Sequence, residues 1–362
     1  MKVAFLTPSN VAGGAERVLT ILSNRSSEDG IETYFISFDE NSDYYSLNKK
    51  VNFIHLGVDS SNKSGLSKYL LFPKYYIRLR RYLKQIRPDV VVSFLFLTNI
   101  VGTICCNELS IPIILSERND PLFYGKKQKN IMKLIYKKSD GFVCQSKNVL
   151  KTMMLEYGVK DSVVIPNPIT TKQIGVFKNI KSKRIISVGR LIEQKNHKLL
   201  IEAFKKVQES YPEYELYIFG EGELRQELEQ CITRLELSGK VFMPGLENEV
   251  IKKNNDAQLF VLPSKYEGFP NVLIEAMCNG IPSIATDVPS GTVRDLIVDG
   301  ENGYLFHGKN PNELGELIIN ALGNIEELND IGKNGMDIID VCSEDLVYKK
   351  WLKYIQTIKS NK

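Results

Sequence analysis

The sequence lacks an uninterrupted apolar run approaching the ~20 residues a helix needs to cross a bilayer, which argues against a helical membrane-spanning protein. Before Pro8 the N-terminus offers only Val3-Ala4-Phe5-Leu6, too short for the apolar segment of a signal peptide. Cysteine is sparse: six residues (105, 106, 144, 231, 278 and 342), no Cys-x-x-Cys, and mostly apolar neighbours. They read as reduced core thiols of a cytosolic protein rather than a disulfide framework. Tryptophan occurs once, as Trp351, and no fixed-period repeat or low-complexity tract is present. Nothing resembles a nucleic-acid-binding module, so no nucleic-acid partner is expected.

What is present is ordinary globular composition, 43% hydrophobic and 25% charged, which excludes a disordered chain or a fibre. At 362 residues the chain is too long for one core, so two domains with a cleft between them are expected. The net charge of +4 divides unevenly: residues 1–170 carry 23 Lys and Arg against 15 Asp and Glu, and the remainder is net acidic. That asymmetry asks for a partner of the first half.

Short β-branched runs at 2–7, 33–37, 90–93, 113–116, 141–145 and 163–166 alternate with amphipathic segments. A second series runs through 185–188, 216–219, 241–243, 259–262 and 283–285. Leu200, Ala203, Phe204 and Val207 illustrate the helical spacing between them. Near-continuous apolar strands separated by helices indicate an α/β fold of two doubly wound, Rossmann-like parallel sheets covered on both faces. Periodicity lapses between Asn167-Pro168 and Lys183. The expected domains are 1–170 and 171–343, followed by a helix in 344–362 that packs back on the first domain.

Three segments carry chemistry. Thr7-Pro8-Ser9-Asn10-Val11-Ala12-Gly13-Gly14-Ala15-Glu16-Arg17 joins the first strand to a helix, where paired glycines admit a ligand and the helix start favours an anion. It is not Gly-x-Gly-x-x-Gly, and no acid ends the 33–37 strand, which argues against a dinucleotide cofactor. Ser187-Val188-Gly189-Arg190-Leu191-Ile192-Glu193-Gln194-Lys195 sets a guanidinium and an ammonium in one strand-to-helix loop, suited to a diphosphate. Ser264-Lys265-Tyr266-Glu267-Gly268-Phe269-Pro270-Asn271 runs into a helix containing Glu275; carboxylates there suit sugar or ribose hydroxyls. Taken singly, each segment reads equally as a tight turn, solvated loop cations or a helix-end acid.

Together, Glu267-x7-Glu275 within SxxEGFPxxxxEA and SVGRLxxxK upstream resemble the retaining glycosyltransferases of family four, of GT-B fold. GGAER, SERNDP (116–121), Asn167-Pro168, FGEGELRQELE (219–229) and VDGENG (298–303) extend the resemblance over nearly the whole chain. GGAER, SFLFLTNIVG (93–102) and GEGELRQELE most resemble bacterial enzymes that extend saccharides on undecaprenyl diphosphate, including capsule and O-antigen transferases.

The resemblance implies that Arg190 and Lys195 clamp the donor diphosphate, that Glu267 faces the donor sugar, and that Glu275 holds the ribose. Gly268, Phe269, Pro270 and Asn271 would add backbone contacts, Met243 would lie in the loop that cradles the base, and Gly14 would sit beside the diphosphate. Gly13, Glu117 and Arg118 are the acceptor-binding candidates, with a structural ion pair as the alternative for the last two. The donor would be a UDP-sugar, with no further cofactor. The absence of any Asp-x-Asp fits a metal-independent reaction. Where many relatives have a first-domain histidine, this sequence has Leu97-Thr98-Asn99; His55, His197 and His307 read as structural. A sugar-nucleotide epimerase of the same fold and a non-catalytic partner subunit stay open as alternatives.

Residues 63–87 contain eight cations and no acid, and 126–138 contain six cations and no acid. In the first stretch Phe72, Tyr76, Leu79, Leu83 and Ile86 predict an apolar stripe, with Lys74, Arg78 and Arg81 on another face. An anionic membrane surface and a lipid-linked saccharide are the expected partners, with the enzyme peripheral on the inner face of the cell membrane. A core-facing helix with a solvated cationic side is the alternative.

Overall fold

The computed structural model describes residues 1–10, 13–39, 44–58, 71–177 and 182–361. Lys63 and Lys68 of the first cationic stretch, and Val11 and Ala12 of the first loop, lie outside these residues. Two units divide the chain: Met1–Pro168 with Glu344–Lys362, and Ile169–Ser343.

The first unit runs β1 (Lys2–Thr7), α1 (Gly14–Glu28), β2 (Glu32–Asp39), β3 (Asn52–Val58), α2 (Phe72–Ile86), β4 (Val90–Phe94), α3 (Phe96–Leu109), β5 (Ile113–Ser116), α4 (Lys126–Ile135), β6 (Gly141–Cys144), α5 (Lys147–Tyr157) and β7 (Ser162–Val164). The strands form one parallel sheet in the order β3-β2-β1-β4-β5-β6-β7. Strands such as Val90–Phe94 are buried throughout because both faces are covered. One face packs against apolar side chains of α2, α3, α4 and α5. Side chains of α1 cover the other, together with Val347, Tyr348, Trp351, Ile355 and Ile358.

Local chemistry sets the helix limits. Pro73 stands in the first turn of α2, where a missing N–H costs nothing, and Arg87 closes that helix in the left-handed region before Pro88. Ser146 caps α5 by accepting from the Val149 N–H, and Gly158 ends it at φ 66°.

The second unit contains β8 (Arg184–Val188), α6 (His197–Ser210), β9 (Glu215–Phe219), α7 (Arg225–Arg234), β10 (Val241–Gly245), α8 (Val250–Lys253), β11 (Leu259–Leu262), α9 (Asn271–Cys278), β12 (Ser283–Thr286), β13 (Tyr304–Phe306), α10 (Pro311–Gly323), α11 (Ile325–Gly335) and α12 (Ile339–Cys342). Its parallel sheet has the order β10-β9-β8-β11-β12-β13. Side chains of α6, α7 and α10 pack one face, and those of α8 and α9 the other. The N–H of Ile169 donates to the Cys342 carbonyl at 2.8 Å, joining the two ends of this unit.

A final helix, α13 (Glu344–Ser360), belongs to the first unit. It supplies the Trp351 cluster and is tied down by Arg25, 2.6 Å from Asp345 and 3.3 Å from Glu344. All six cysteines are buried and free. No helix among the described residues is long and apolar enough to cross a membrane.

Several expectations change. β3 and β13 carry no strand expectation from periodicity, and both are sheet edges, where half-exposure dilutes the apolar signal. β2 extends past 33–37 and ends on an acid, Asp39, which accepts a 3.0 Å bond from the Tyr75 hydroxyl. Met243 lies inside β10 rather than in the loop after it. In α2 the buried stripe is Tyr75, Leu79, Leu83 and Ile86; Tyr76 is only half-buried and donates its hydroxyl to Glu108.

Candidate functional site

In each sheet the strand order reverses once, between β1 and β4 and between β8 and β11, and ligands of open α/β sheets settle at such points. In the second unit, Arg190 and Lys195 follow β8, while Glu267 to Pro270 follow β11. The two loops are stitched together by main-chain acceptors. Gln194 Nε2 donates to the Tyr266 carbonyl at 3.0 Å, the Lys265 N–H to the Gln194 carbonyl at 2.9 Å, and Asn196 Nδ2 to the Pro263 carbonyl at 3.2 Å. Asn196 makes its turn at φ 53°, a conformation asparagine tolerates.

Within that frame, Lys195 Nζ sits 2.5 Å from Glu267 Oε1, the lysine side chain 15% exposed and the carboxylate 6%. Gly189 makes room for this: a Cβ there would press on three Lys195 methylenes at 3.2–3.3 Å. Glu267 is fixed from behind, its carbonyl accepting from Ser290 Oγ at 3.0 Å and lying 3.5 Å from Thr292 Oγ1. Arg190 is exposed and has no carboxylate partner among the described residues. A partly buried Lys–Glu pair with an arginine in the same β8 loop is chemically suited to an anion, with one cation already oriented.

The FGEGE run explains how the β8 loop keeps its shape. Gly189 donates to the Phe219 carbonyl and Leu191 to the Glu221 carbonyl, both at 2.9 Å, and Gly220 donates to the Gly245 carbonyl at 2.8 Å. A Cβ at Gly220 would lie 2.0 Å from the Gly189 carbonyl oxygen, and one at Gly222 2.4 Å from that of Leu191. Gly220 also has φ 143°. These glycines let the β9 loop lie against the β8 loop, a supporting role that the motif alone does not reveal.

Beyond them, Pro270 caps α9, with Gly268 and Asn271 half-exposed and Phe269 buried. On α9, half-exposed Glu275 accepts at Oε1 from Gln173 Nε2 at 2.7 Å. Gln173 escapes sequence reading because it stands in the aperiodic connector; its Oε1 in turn accepts from the Thr170 N–H and hydroxyl, both at 3.0 Å. Met243 offers its carbonyl to Arg225 Nη2 at 3.3 Å. His197, beneath the β8 loop and 3.4 Å from Ser187 Oγ, is pushed down to about 4 by burial and stays a neutral structural residue.

In the first unit, Gly13 caps α1 and Gly14 opens it, exposed. The Gly13 carbonyl accepts from the Tyr45 hydroxyl at 3.1 Å, and a Cβ on Gly13 would lie 2.1 Å from Glu16 Oε2. Glu117 and Arg118 follow β5 but are buried. Glu117 accepts from the Tyr124 hydroxyl (2.8 Å), the Tyr136 hydroxyl (2.7 Å) and the Arg118 and Asn119 N–H groups (3.1 and 3.3 Å). Burial holds its carboxyl above the usual range. Arg118 stacks 3.9 Å from the Phe94 ring centroid, donates to Asn167, and is pushed down to about 9 by burial. The two side chains therefore do not pair with each other through a hydrogen bond. Lys74, Arg78 and Arg81 are exposed on α2, and Arg78 donates to the Leu56 and Gly57 carbonyls.

Comparison with known proteins bears on family and fold. A family model described as Glycosyltransferase Family 4 matches residues 12–173, and one described as Glycosyl transferases group 1 matches 168–337. A Campylobacter jejuni N-acetylgalactosamine-N,N'-diacetylbacillosaminyl-diphospho-undecaprenol 4-alpha-N-acetylgalactosaminyltransferase is 29% identical over 323 residues, covering 84% of this chain and 85% of the relative. Among solved structures, sucrose-phosphate synthase from Thermosynechococcus elongatus superposes with a TM-score of 0.89 at 17% identity, both chains covered in full. HepE from Anabaena, in complex with UDP-glucose, gives 0.80 at 18% identity, covering 99% of this chain and 100% of the other. With both halves matched in order and two Rossmann-like sheets present, the chain belongs to glycosyltransferase family 4 and has the GT-B fold.

Proposed function

We propose that the protein transfers a hexose or N-acetylhexosamine from a UDP-sugar to a polyprenyl-diphosphate-linked saccharide during surface-polysaccharide or glycan assembly. On this reading the reaction retains anomeric configuration, needs no metal ion, and takes place at the inner face of the membrane. The observation that carries it is the oriented Lys195–Glu267 pair beside exposed Arg190 at the reversal point of the second sheet. The undecaprenol-linked substrate in the Campylobacter relative's name supports the acceptor class, and the UDP-glucose complex of the HepE structure supports the donor.

As the bond from sugar C1 to the diphosphate oxygen breaks, its electron pair passes to the phosphate, and Arg190 and Lys195 stabilise that growing charge. Lysine has three donors, so Lys195 can bind phosphate while keeping Glu267. The acceptor hydroxyl oxygen forms the new bond to C1 and gives its proton to the departing phosphate oxygen. The sugar's developing positive charge is offset by the diphosphate and by Glu267. Ribose hydroxyls would join Gln173 as donors to Glu275.

The test is a panel of UDP- and GDP-sugars against a synthetic lipid-diphosphate saccharide, with and without chelator. Lys195→Ala and Glu275→Ala are expected to abolish transfer while circular dichroism is unchanged. Wild-type turnover in both variants would overturn the site. Conversion of a UDP-sugar without acceptor would make the protein an epimerase. An inverted anomeric coupling in the product would remove retention.

A further inference from the structure

α3 packs against both α2 and α4, and α4 against α5, so all four helices line one face of the first sheet and turn their outer sides the same way. They differ in what those outer sides hold. The apolar stripe of α2 is spent in the core, leaving Ile77 as its one exposed large hydrophobe, and Arg80 is paired with Glu108 at 2.7 Å. In α4 only Met132 is buried. Ile131 and Leu134, three apart, lie on its outer side, and Leu134 is 61% exposed. On α5, Val149, Met153 and Tyr157 face inward, leaving Met154 and Leu155 outside, the latter 75% exposed.

The turn before α4 joins the two helices. The Leu122 carbonyl accepts from Lys129 Nζ at 2.8 Å and its neighbour's, Pro121, from the Tyr157 hydroxyl at 3.4 Å. Leu122, Ile131, Leu134, Met154 and Leu155 account for five of the eight exposed large hydrophobes described in the first unit. Around them, residues 122–160 carry nine lysines against two acids, Asp140 and Glu156. Lys126, Lys127, Lys133, Lys137, Lys138, Lys151 and Lys160 have no ion pair among the described residues. Glu117 anchors this element at both ends, since Tyr124 precedes α4 and Tyr136 follows it.

We infer that the outer face of α4 and α5, with Leu134 and Leu155 at its centre, is the surface that inserts into an anionic phospholipid membrane. Exposed apolar side chains interspersed with exposed lysines that have no ion pair among the described residues match such a surface in both respects: hydrocarbon for the leucines, headgroup phosphates for the ammonium groups. α2 then contributes charge alone, because it has little apolar surface left to insert. The inference deepens the proposed peripheral location and rests on it.

The experiment uses the intact protein and vesicles of phosphatidylcholine, with or without phosphatidylglycerol, in the absence of sugar nucleotide and acceptor. Native Trp351 is buried, so Leu134→Trp gives a reporter on a constant background. Its emission is expected to shift to the blue only with phosphatidylglycerol present, and to revert as salt is raised. Leu134→Glu combined with Leu155→Glu is expected to lower vesicle partitioning roughly tenfold or more. Circular dichroism and transfer to a soluble, polyprenyl-free acceptor should stay at wild-type level. An unshifted Leu134→Trp spectrum, or wild-type sedimentation of the double variant, overturns the inference. So does loss of binding only when Lys74, Arg78 and Arg81 are neutralised, which would return the role to α2. Vesicle-free dimerisation that the double variant abolishes would assign the face to a second copy. Failure of the acceptor reading would look different, as vesicle binding intact with no transfer to the lipid-linked saccharide.

Discussion

The two sheets share a strand order over six strands, and both have charged residues following a strand, yet the surroundings of those residues differ. After β8 and β11 two cations reach toward solvent: Arg190 is exposed, and Lys195, 15% exposed, is oriented by the buried Glu267 on loops held by main-chain bonds. After β5 they are swallowed. Glu117 gives its carboxylate to two tyrosines and two backbone amides, and Arg118 lies against Phe94. Charge at the end of a parallel strand is thus not sufficient for ligand chemistry; what matters is whether a cation is left without a partner, as Arg190 is among the described residues, or the group is enclosed by protein donors and rings, as Glu117 and Arg118 are.

The strongest way to break this contrast is to remove the buried acid. Glu117→Ala leaves two hydroxyls and two N–H groups without their acceptor, and should cost about 4 kcal/mol or more in urea unfolding. The fraction that remains folded should keep near-normal kcat for a soluble acceptor. A large kcat loss with unchanged stability would place Glu117 in the reaction.

The converse variant is Arg190→Ala, expected to lower kcat/KM by roughly 10²–10³-fold, since in the proposed reaction it removes one charged donor from the leaving group. Its melting temperature should match wild type, because no described side chain depends on it.

Two buried groups, one in each unit, predict opposite pH slopes. Neutral His197 in the folded second unit binds its proton only near pH 4, whereas the unfolded imidazole binds it near 6.5. Its contribution is therefore complete above pH 6.5 and is lost as pH falls to about 4, by up to about 3 kcal/mol. Glu117 runs the other way: its raised carboxyl favours the protonated fold, so its contribution declines as pH rises through the normal carboxylate range. Denaturant melts of wild type, His197→Phe and Glu117→Gln between pH 4 and 7 separate the two slopes. If both variants leave the wild-type pH profile unchanged, neither group is held as described.

The smallest effect expected is at the surface. Arg25→Ala breaks contacts to Glu344 and Asp345 and should cost under about 1 kcal/mol. A larger loss would mean that this ion pair, rather than Trp351 and its neighbours, secures α13.

Much of this was legible in the amino-acid order. Strand–helix alternation located both sheets, and the spacing of Arg190, Lys195, Glu267 and Glu275 marked the loops that meet in the second unit. Edge strands β3 and β13 were not legible, because half-exposed residues carry little periodic signal. Nor was the Gln173–Glu275 bond, which joins residues about a hundred positions apart. Tyr75 and Tyr76 show the limit of helical periodicity: adjacent tyrosines fit the stripe almost equally, and packing on Phe38 chose the first. The fate of Glu117 depended on where Tyr124 and Tyr136 would lie, which no local pattern states.

The position of α13 has a consequence for how the chain is made. The first unit's sheet is synthesised early, but one of its faces is finished by a helix that follows the entire second unit. On the ribosome, the cluster that holds Val3, Phe5, Val90 and Val92 emerges with its α13 side chains still untranslated. The second unit, contiguous from Ile169 to Ser343, meets no such delay. Order of birth and order of completion are therefore reversed, and the interval between them is when the nascent chain has most need of a chaperone.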